Sequence, residues 1–112
     1  MFDVNVIKVA KNKATKNLEK VNQDLEENLN KAIELFKQFA GDRTEKKLHQ
    51  ALQIFFEYID QKRTNATPFF YISFSSFLLG DHILAEKYLT YTEEIDPVFS
   101  NLTKLKSIIK SV

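Results

Sequence analysis

Residues 66–97 read ATPFFYISFSSFLLGDHILAEKYLTYTEEIDP, and this stretch decides the fold. An aromatic-rich apolar run breaks at Leu79-Gly80-Asp81, resumes as a charged amphipathic run, and ends at Asp96-Pro97. Glycine and aspartate are typical turn residues, and a proline ring cannot continue a helix. The pattern therefore predicts two short antiparallel helices, over residues 68–79 and 82–95, which are joined by a tight turn.

The ends of these two helices carry recognisable capping residues. Thr67 is in the position of an N-cap, and Pro68 follows in the first turn, where its missing N–H costs nothing. Asp81 is placed to cap the second helix. Helix 68–79 is apolar nearly all round, so it must be covered on several sides.

Upstream, apolar residues recur at steps of three and four from about Thr15, which predicts a long amphipathic helix. Gly41 stands where a residue just past a helix is expected, and a break near Asn28–Asn30 is predicted because helix formers are poorest there. The residues of the apolar face are Leu18, Val21, Leu25, Leu29, Ala32, Ile33, Phe36 and Phe39.

Three further segments complete the expected all-α chain. A helix over residues 45–60 is expected after a cap at Asp42 or Thr44. The amphipathic run 98–112 predicts a helix that covers the last hairpin. At the other end, apolar and polar residues alternate over 2–9, which indicates a short strand or an extended arm.

Composition limits the class of protein. With 112 residues, 44% hydrophobic and 28% charged, we expect one globular domain rather than a disordered chain. The absence of cysteine excludes disulfides, thiolate catalysis and cysteine-ligated zinc. A net charge of +1 argues against nucleic-acid binding. No run is apolar enough to span a membrane and the N-terminal sequence has no secretory pattern, so a cytoplasmic protein is expected.

The hairpin 66–97 resembles a tetratricopeptide repeat, a helix–turn–helix unit of 34 residues. The matching positions are Phe69, Ile72, Ser73, the turn Leu79-Gly80-Asp81, Ala85, Leu89 and Pro97. Thirty-four residues before Ala85 and Leu89 lie Ala51 and Phe55. From the residue pattern we expect an extended or flexible arm over 1–14, and the resemblance lies within one helical domain over 15–112. Within that domain it implies a degenerate repeat at about 32–65, a clearer repeat at 66–97, and a capping helix over 98–112.

The central contact of such a hairpin is expected where Ser73 meets Ala85, because small side chains let two helices approach closely. Repeats of this family line a concave groove with their first helices. The resemblance therefore implies a partner-binding surface of Thr67, Phe70, Tyr71, Phe74, Phe77 and Leu78. An alternative stays open: all of these side chains belong to the core, under the first and last helices.

No arrangement in the sequence points to catalysis, a cofactor or a metal. His49 and His82 stand far apart without clustered carboxylates, and no phosphate-binding loop is present. We expect a non-enzymatic interaction module that holds an apolar peptide or helix of another protein. A small secretion-type co-chaperone is a narrower version of the same hypothesis. The alternative is a self-assembling subunit that dimerises through residues 15–40 or the arm 2–9.

Overall fold

Residues 4–111 fold into five helices that pack one on the next in chain order. The computed structural model describes residues 4–111, and side chains from residue 23 onward. Within that range there is no strand, and the predicted all-α class is confirmed. The helices are α1 (Val4–Asp42), α2 (Glu45–Gln61), α3 (Ala66–Leu78), α4 (His82–Ile95) and α5 (Leu102–Lys110). We call α1 with α2 the first hairpin, and α3 with α4 the second hairpin.

Helix α1 is longer than the sequence pattern predicts. It runs without interruption through Asn28–Asn30, so the predicted break is wrong. It also begins at Val4, so residues 4–9 are helical, not a strand or an extended arm. Extending an existing helix costs little, and an asparagine weakens it by only about 0.5 kcal/mol. Leu29, which lies between the two asparagines, is buried against the second helix. The side chains of Leu18 and Val21 lie outside the described residues.

The turn of the first hairpin uses Arg43 where a glycine is expected. Gly41 is still inside α1, contrary to the prediction that it follows the helix. Arg43 has the left-handed conformation, with φ of 62°, and its N–H donates to the carbonyl of Phe39 at 2.7 Å. Thr44 is the cap residue of α2, but its side chain makes no capping hydrogen bond. Instead its N–H donates to Oδ1 of Asp42 at 2.9 Å.

The second hairpin begins two residues earlier than predicted, because α3 begins at Ala66 and not at residue 68. Asn65, not Thr67, is the N-cap of α3, since its Oδ1 accepts the N–H of Thr67 at 3.0 Å. Pro68 lies in the first turn, as predicted. At the other end Gly80 has φ of +86°, which favours glycine. The predicted cap at Asp81 is confirmed, because its Oδ1 accepts the N–H of Leu84 at 3.1 Å.

The predicted contact between Ser73 and Ala85 lies at the centre of the second hairpin. The hydroxyl of Ser73 donates to the backbone carbonyl of Ala85 at 2.6 Å, and both residues are fully buried. A side chain larger than serine or alanine has no room at such a contact. This prediction is confirmed, and it fixes the register in which α3 and α4 pack.

The last helix is shorter than the predicted 98–112. Asp96 accepts the N–H of Val98 at 3.1 Å, and this turn delays α5 until Leu102. Val98 was expected on the apolar face, but it is 89% exposed. The face of α5 that packs on the second hairpin consists of Leu102, Leu105 and Ile109.

Burial repeats along the chain with the predicted spacing. Between the first and second hairpins, six pairs of residues that lie 34 positions apart are buried in both members. The pairs are Ala32 and Ala66, Phe36 and Phe70, Phe39 and Ser73, Ala51 and Ala85, Phe55 and Leu89, and Tyr58 and Thr92. The two hairpins therefore place equivalent positions in equivalent environments, although their side chains differ.

Candidate functional site

Aromatic rings from three helices and from the turn between α4 and α5 form one continuous row, which we call the aromatic row. Its centre is α3, which contributes Tyr71, Phe74 and Phe70. In spatial order the row is Phe55, Tyr71, Phe36, Phe74, Phe70 and Phe99. Successive ring centroids lie 5.3, 5.1, 5.2, 6.2 and 5.0 Å apart. Stacked, tilted and edge-to-face ring contacts at these distances stabilise aromatic clusters.

The six predicted binding residues do not share one environment. Phe70 is only 7% exposed and packs on α4 and α5, so it lies in the core of this chain. Thr67, Tyr71, Phe74 and Phe77 are half-buried, whereas Leu78 is 38% exposed. Phe77 turns to the start of α4, where its ring lies 5.3 Å from that of His82. The structure brings Phe70, Tyr71 and Phe74 together, and Phe77 joins a separate contact.

Three of these residues form an accessible line along α3. Tyr71, Phe74 and Leu78 follow at steps of three and four, so they lie on one side of the helix. We call them the exposed strip. Helix α3 contains no charged residue over Ala66–Leu78, so this surface has no ionic character of its own. Its recognition properties are those of rings and aliphatic groups.

Tyr71 adds a polar group to the exposed strip. Its ring is packed by Phe36, Phe55 and Phe70. Its hydroxyl has no hydrogen-bond partner among residues 23–111. Burial raises the pKa of the Tyr71 hydroxyl, so it stays protonated at neutral pH and is available as a donor.

The apolar sequence of α3 explains why both of its sides are occupied. Ile72 and Phe69 pack into the cluster built around α2, while Phe70 packs on α5. Ser75 and Ser76 are buried as well, and their hydroxyls have no hydrogen-bond partner within the described part of the chain. Only small side chains at these two positions allow the neighbouring helices to approach from both sides.

A second group of aromatic residues, missed by the sequence analysis, lies against the other side of α3. Tyr88 is at its centre, with ring centroids 5.7 Å from Phe56, 6.0 Å from Phe69 and 5.5 Å from Tyr91. Beside it is a cleft of about 190 Å³. The cleft is lined by Arg63, Phe69, Tyr91, Glu94 and Ile95. The spacing of Tyr88 and Tyr91 on α4 was the only sequence signal for this surface.

A side-chain hydrogen bond ties α1 to the end of α2. The Tyr58 hydroxyl donates to Oε1 of Glu26 at 2.7 Å, and the Lys62 ammonium lies 3.4 Å from the same oxygen. Burial raises the pKa of Tyr58, and the hydrogen bond to Glu26 acts in the same direction. This arrangement holds the first hairpin together.

The described residues contain no group of three side chains placed to hold a metal ion. Within the same range, no helix has both the length and the apolar character needed to cross a membrane. Comparisons with protein families, with curated proteins and with solved structures found no match to this chain. The surfaces described above are therefore the basis for proposing a function.

Proposed function

We propose that this chain is a non-enzymatic protein-interaction module with a tetratricopeptide-like architecture. It holds an apolar peptide or an amphipathic helix of another protein on the exposed strip of Tyr71, Phe74 and Leu78. The observation that carries the proposal is that strip: an uncharged helix leaves Leu78 exposed and Tyr71 and Phe74 half-buried at helical spacing. The 34-residue repetition of buried positions supports the architecture.

The dimensions of the exposed strip suit a helical or short extended partner. From Tyr71 to Leu78 the helix rises about 10 Å, which corresponds to two turns. A partner helix with apolar residues at the same steps buries its own face against this line. The Tyr71 hydroxyl gives such a partner one directional contact. Phe70 supports the rings from behind and has too little exposed surface to contact the partner directly.

A peptide-display selection against the full chain tests the proposal. Libraries of amphipathic helices and of apolar extended peptides provide the probes, and a selected peptide is then titrated with amide NMR detection. Leu78→Asp is expected to weaken binding at least about tenfold, because it puts a charge into the apolar contact. Ile83→Asp is the matched control, since Ile83 is 85% exposed and lies on α4.

The proposal fails if no selected peptide shifts the amides of α3. It also fails if Leu78→Asp and Ile83→Asp weaken binding equally. Circular dichroism of both variants must match that of the native chain, so that loss of binding is separated from loss of folding. Phe74→Asp is a second variant on the strip and is expected to act in the same direction.

The length of α1 favours a second candidate function, self-association. Helix α1 has 39 residues and α2 has 17, which correspond to about 58 Å and about 26 Å. The end of α2 lies beside Glu26, where Tyr58 and Lys62 bind. The backbone of α1 therefore continues past its hairpin partner. In the sequence, Leu18 and Val21 continue the apolar spacing of Leu25 and Leu29 there.

Light scattering over a concentration series tests self-association. A dimer that dissociates on dilution is the expected result if α1 pairs with a second copy, and the double substitution Leu18→Lys with Val21→Lys is expected to leave a monomer. A strictly monomeric native chain at high micromolar concentration removes this candidate and leaves the peptide-binding proposal untouched.

A further inference from the structure

The cleft beside Phe69 lies on the side of α3 opposite the exposed strip. Phe69 and Tyr71 are two residues apart, so their side chains leave the helix about 200° apart. We propose that this cleft is a second peptide site. It takes one large apolar side chain of a partner protein, flanked by one basic and one acidic residue.

The walls of the cleft are rigid aromatic surfaces. The Phe69 ring is buried, and the Tyr91 ring stands edge-on to it with centroids 6.0 Å apart. Tyr88 supports Tyr91 from the side at 5.5 Å. The Lys87 ammonium lies 6.0 Å from the Tyr91 ring centroid, which adds a cation–π contact that holds the ring. Tyr91 is nevertheless 36% exposed, so one part of this wall is open to an incoming group.

The volume of the cleft suits a single amino-acid side chain better than a typical small-molecule ligand. Its volume is about 190 Å³, whereas sites for small-molecule ligands usually span about 300–1,000 Å³. One aromatic or large aliphatic side chain fills such a space. Tyr91 and Ile95 then contact its sides, and Phe69 contacts its end.

The charges at the edge of the cleft define the flanking residues. Arg63 and Glu94 both line it, but they form no ion pair with each other. Within residues 23–111 the ion pairs are Asp42 with Lys47, Glu26 with Lys62, and Glu93 with Lys106. The guanidinium and the carboxylate therefore both remain available to a ligand. A segment with a cation on one side of its apolar residue and an anion on the other matches both groups.

Two faces of α3 would then bind two different segments. The exposed strip is uncharged and extends over two turns, while the cleft is small and has one charge of each sign. A chain with both sites can hold two partner segments at once, one on each side of a single helix. This inference does not depend on the peptide-binding proposal for the exposed strip.

The probes are two tripeptides with blocked ends, Lys-Phe-Glu and Glu-Phe-Lys, titrated into the full chain with amide NMR detection. We expect saturable shifts at the five residues that line the cleft, with a millimolar dissociation constant and a preference for one of the two orders. Tyr91→Ala is expected to weaken binding about tenfold, because it removes the accessible aromatic wall. Ile83→Ala, an exposed apolar control elsewhere on α4, is expected to change nothing.

A charge exchange provides the decisive comparison. In the double variant Arg63→Glu with Glu94→Arg, the preference between the two tripeptides is expected to reverse. No saturable shifts at the cleft, equal affinity in Tyr91→Ala, or an unreversed preference overturns the inference. Leu78→Asp is expected to leave tripeptide binding intact, so failure at this cleft and failure at the exposed strip give different results.

Discussion

The first and second hairpins reach the same geometry with different residues. Each places one residue of positive φ in the turn after its leading helix: Arg43 at 62°, directly after α1, and Gly80 at +86°, two residues past the end of α3. In the second hairpin Asp81 caps the following helix directly. In the first, Asp42 accepts the N–H of Thr44 and pairs with Lys47. The left-handed conformation is thus required by the antiparallel turn, and glycine is only the residue that adopts it at least cost.

The interiors of the two hairpins also differ. Ser73 and Phe39 occupy equivalent positions 34 residues apart, and both are buried. The second hairpin is closed by a small residue and a hydrogen bond, whereas the first is filled by large apolar side chains. We therefore expect the stability of the first hairpin to be sensitive to loss of side-chain volume, and the stability of the second to gain of side-chain volume.

Loss of volume in the first hairpin should have the largest effect. Phe55 is fully buried and stacks on Tyr71 with centroids 5.3 Å apart. Phe55→Ala is expected to cost about 3–5 kcal/mol, from lost burial and the cavity that remains. Urea denaturation followed by circular dichroism measures this. Phe56→Ala, at a half-buried neighbour, is the control, and an equal cost in both variants contradicts the assignment of Phe55 to the core.

Gain of volume in the second hairpin comes next. Ala85→Leu is expected to cost about 3 kcal/mol, because it separates α3 from α4 and breaks the bond from Ser73. The equivalent test at an exposed alanine, Ala40→Leu, is expected to be nearly neutral. If urea midpoints of the two variants coincide, the close approach of the second hairpin is not what stabilises it.

The two turns give opposite predictions for glycine. Gly80→Ala is expected to lower stability by about 1 kcal/mol, since alanine is strained at that φ. Arg43→Gly is expected to raise stability, by less than about 1 kcal/mol, because it relieves the same strain at the cost of backbone entropy. Thermal unfolding of the two variants measures both. The same sign for both substitutions would show that the turns are not equivalent.

The smallest expected effect is the loss of stability at acid pH that follows from protonation of Asp42. Hydrogen bonds from the Lys47 ammonium, which has the largest effect, and from the N–H of Thr44 lower the pKa of Asp42 from 3.8 to about 2. A lowered pKa in the folded chain gives a stabilisation that is present above pH 4 and is lost as the pH falls towards 2. Asp42→Asn removes it, so the variant melts slightly lower at pH 7, and the difference shrinks at pH 2, where Asp42 of the folded chain is about half protonated. Melting temperatures that differ equally at both values contradict this origin.

The sequence by itself determined the second hairpin almost completely. Turn residues, capping chemistry and small residues are local signals, and they placed α4, the Asp81 cap and the contact of Ser73 with Ala85. The first hairpin was harder, because its turn uses an arginine in a conformation that no local pattern marks. From residue 4 onward, the predicted strand or extended arm was wrong, and so was the break near Asn28–Asn30. The reason is related: weak local preferences lose to the extension of a helix that packing already stabilises.

Only the tertiary structure decided which sides of α3 are covered. A helix that is apolar nearly all round gives no periodic signal for its exposed side. Phe36 and Phe99 pack on the rings of α3 but are distant from it in the sequence. Packing of this kind covers Phe70 and leaves Tyr71, Phe74 and Leu78 at least partly accessible. The cleft between Arg63 and Glu94 depends equally on long-range packing. Local chemistry set where the helices start and turn, and contacts between remote residues set what their surfaces present.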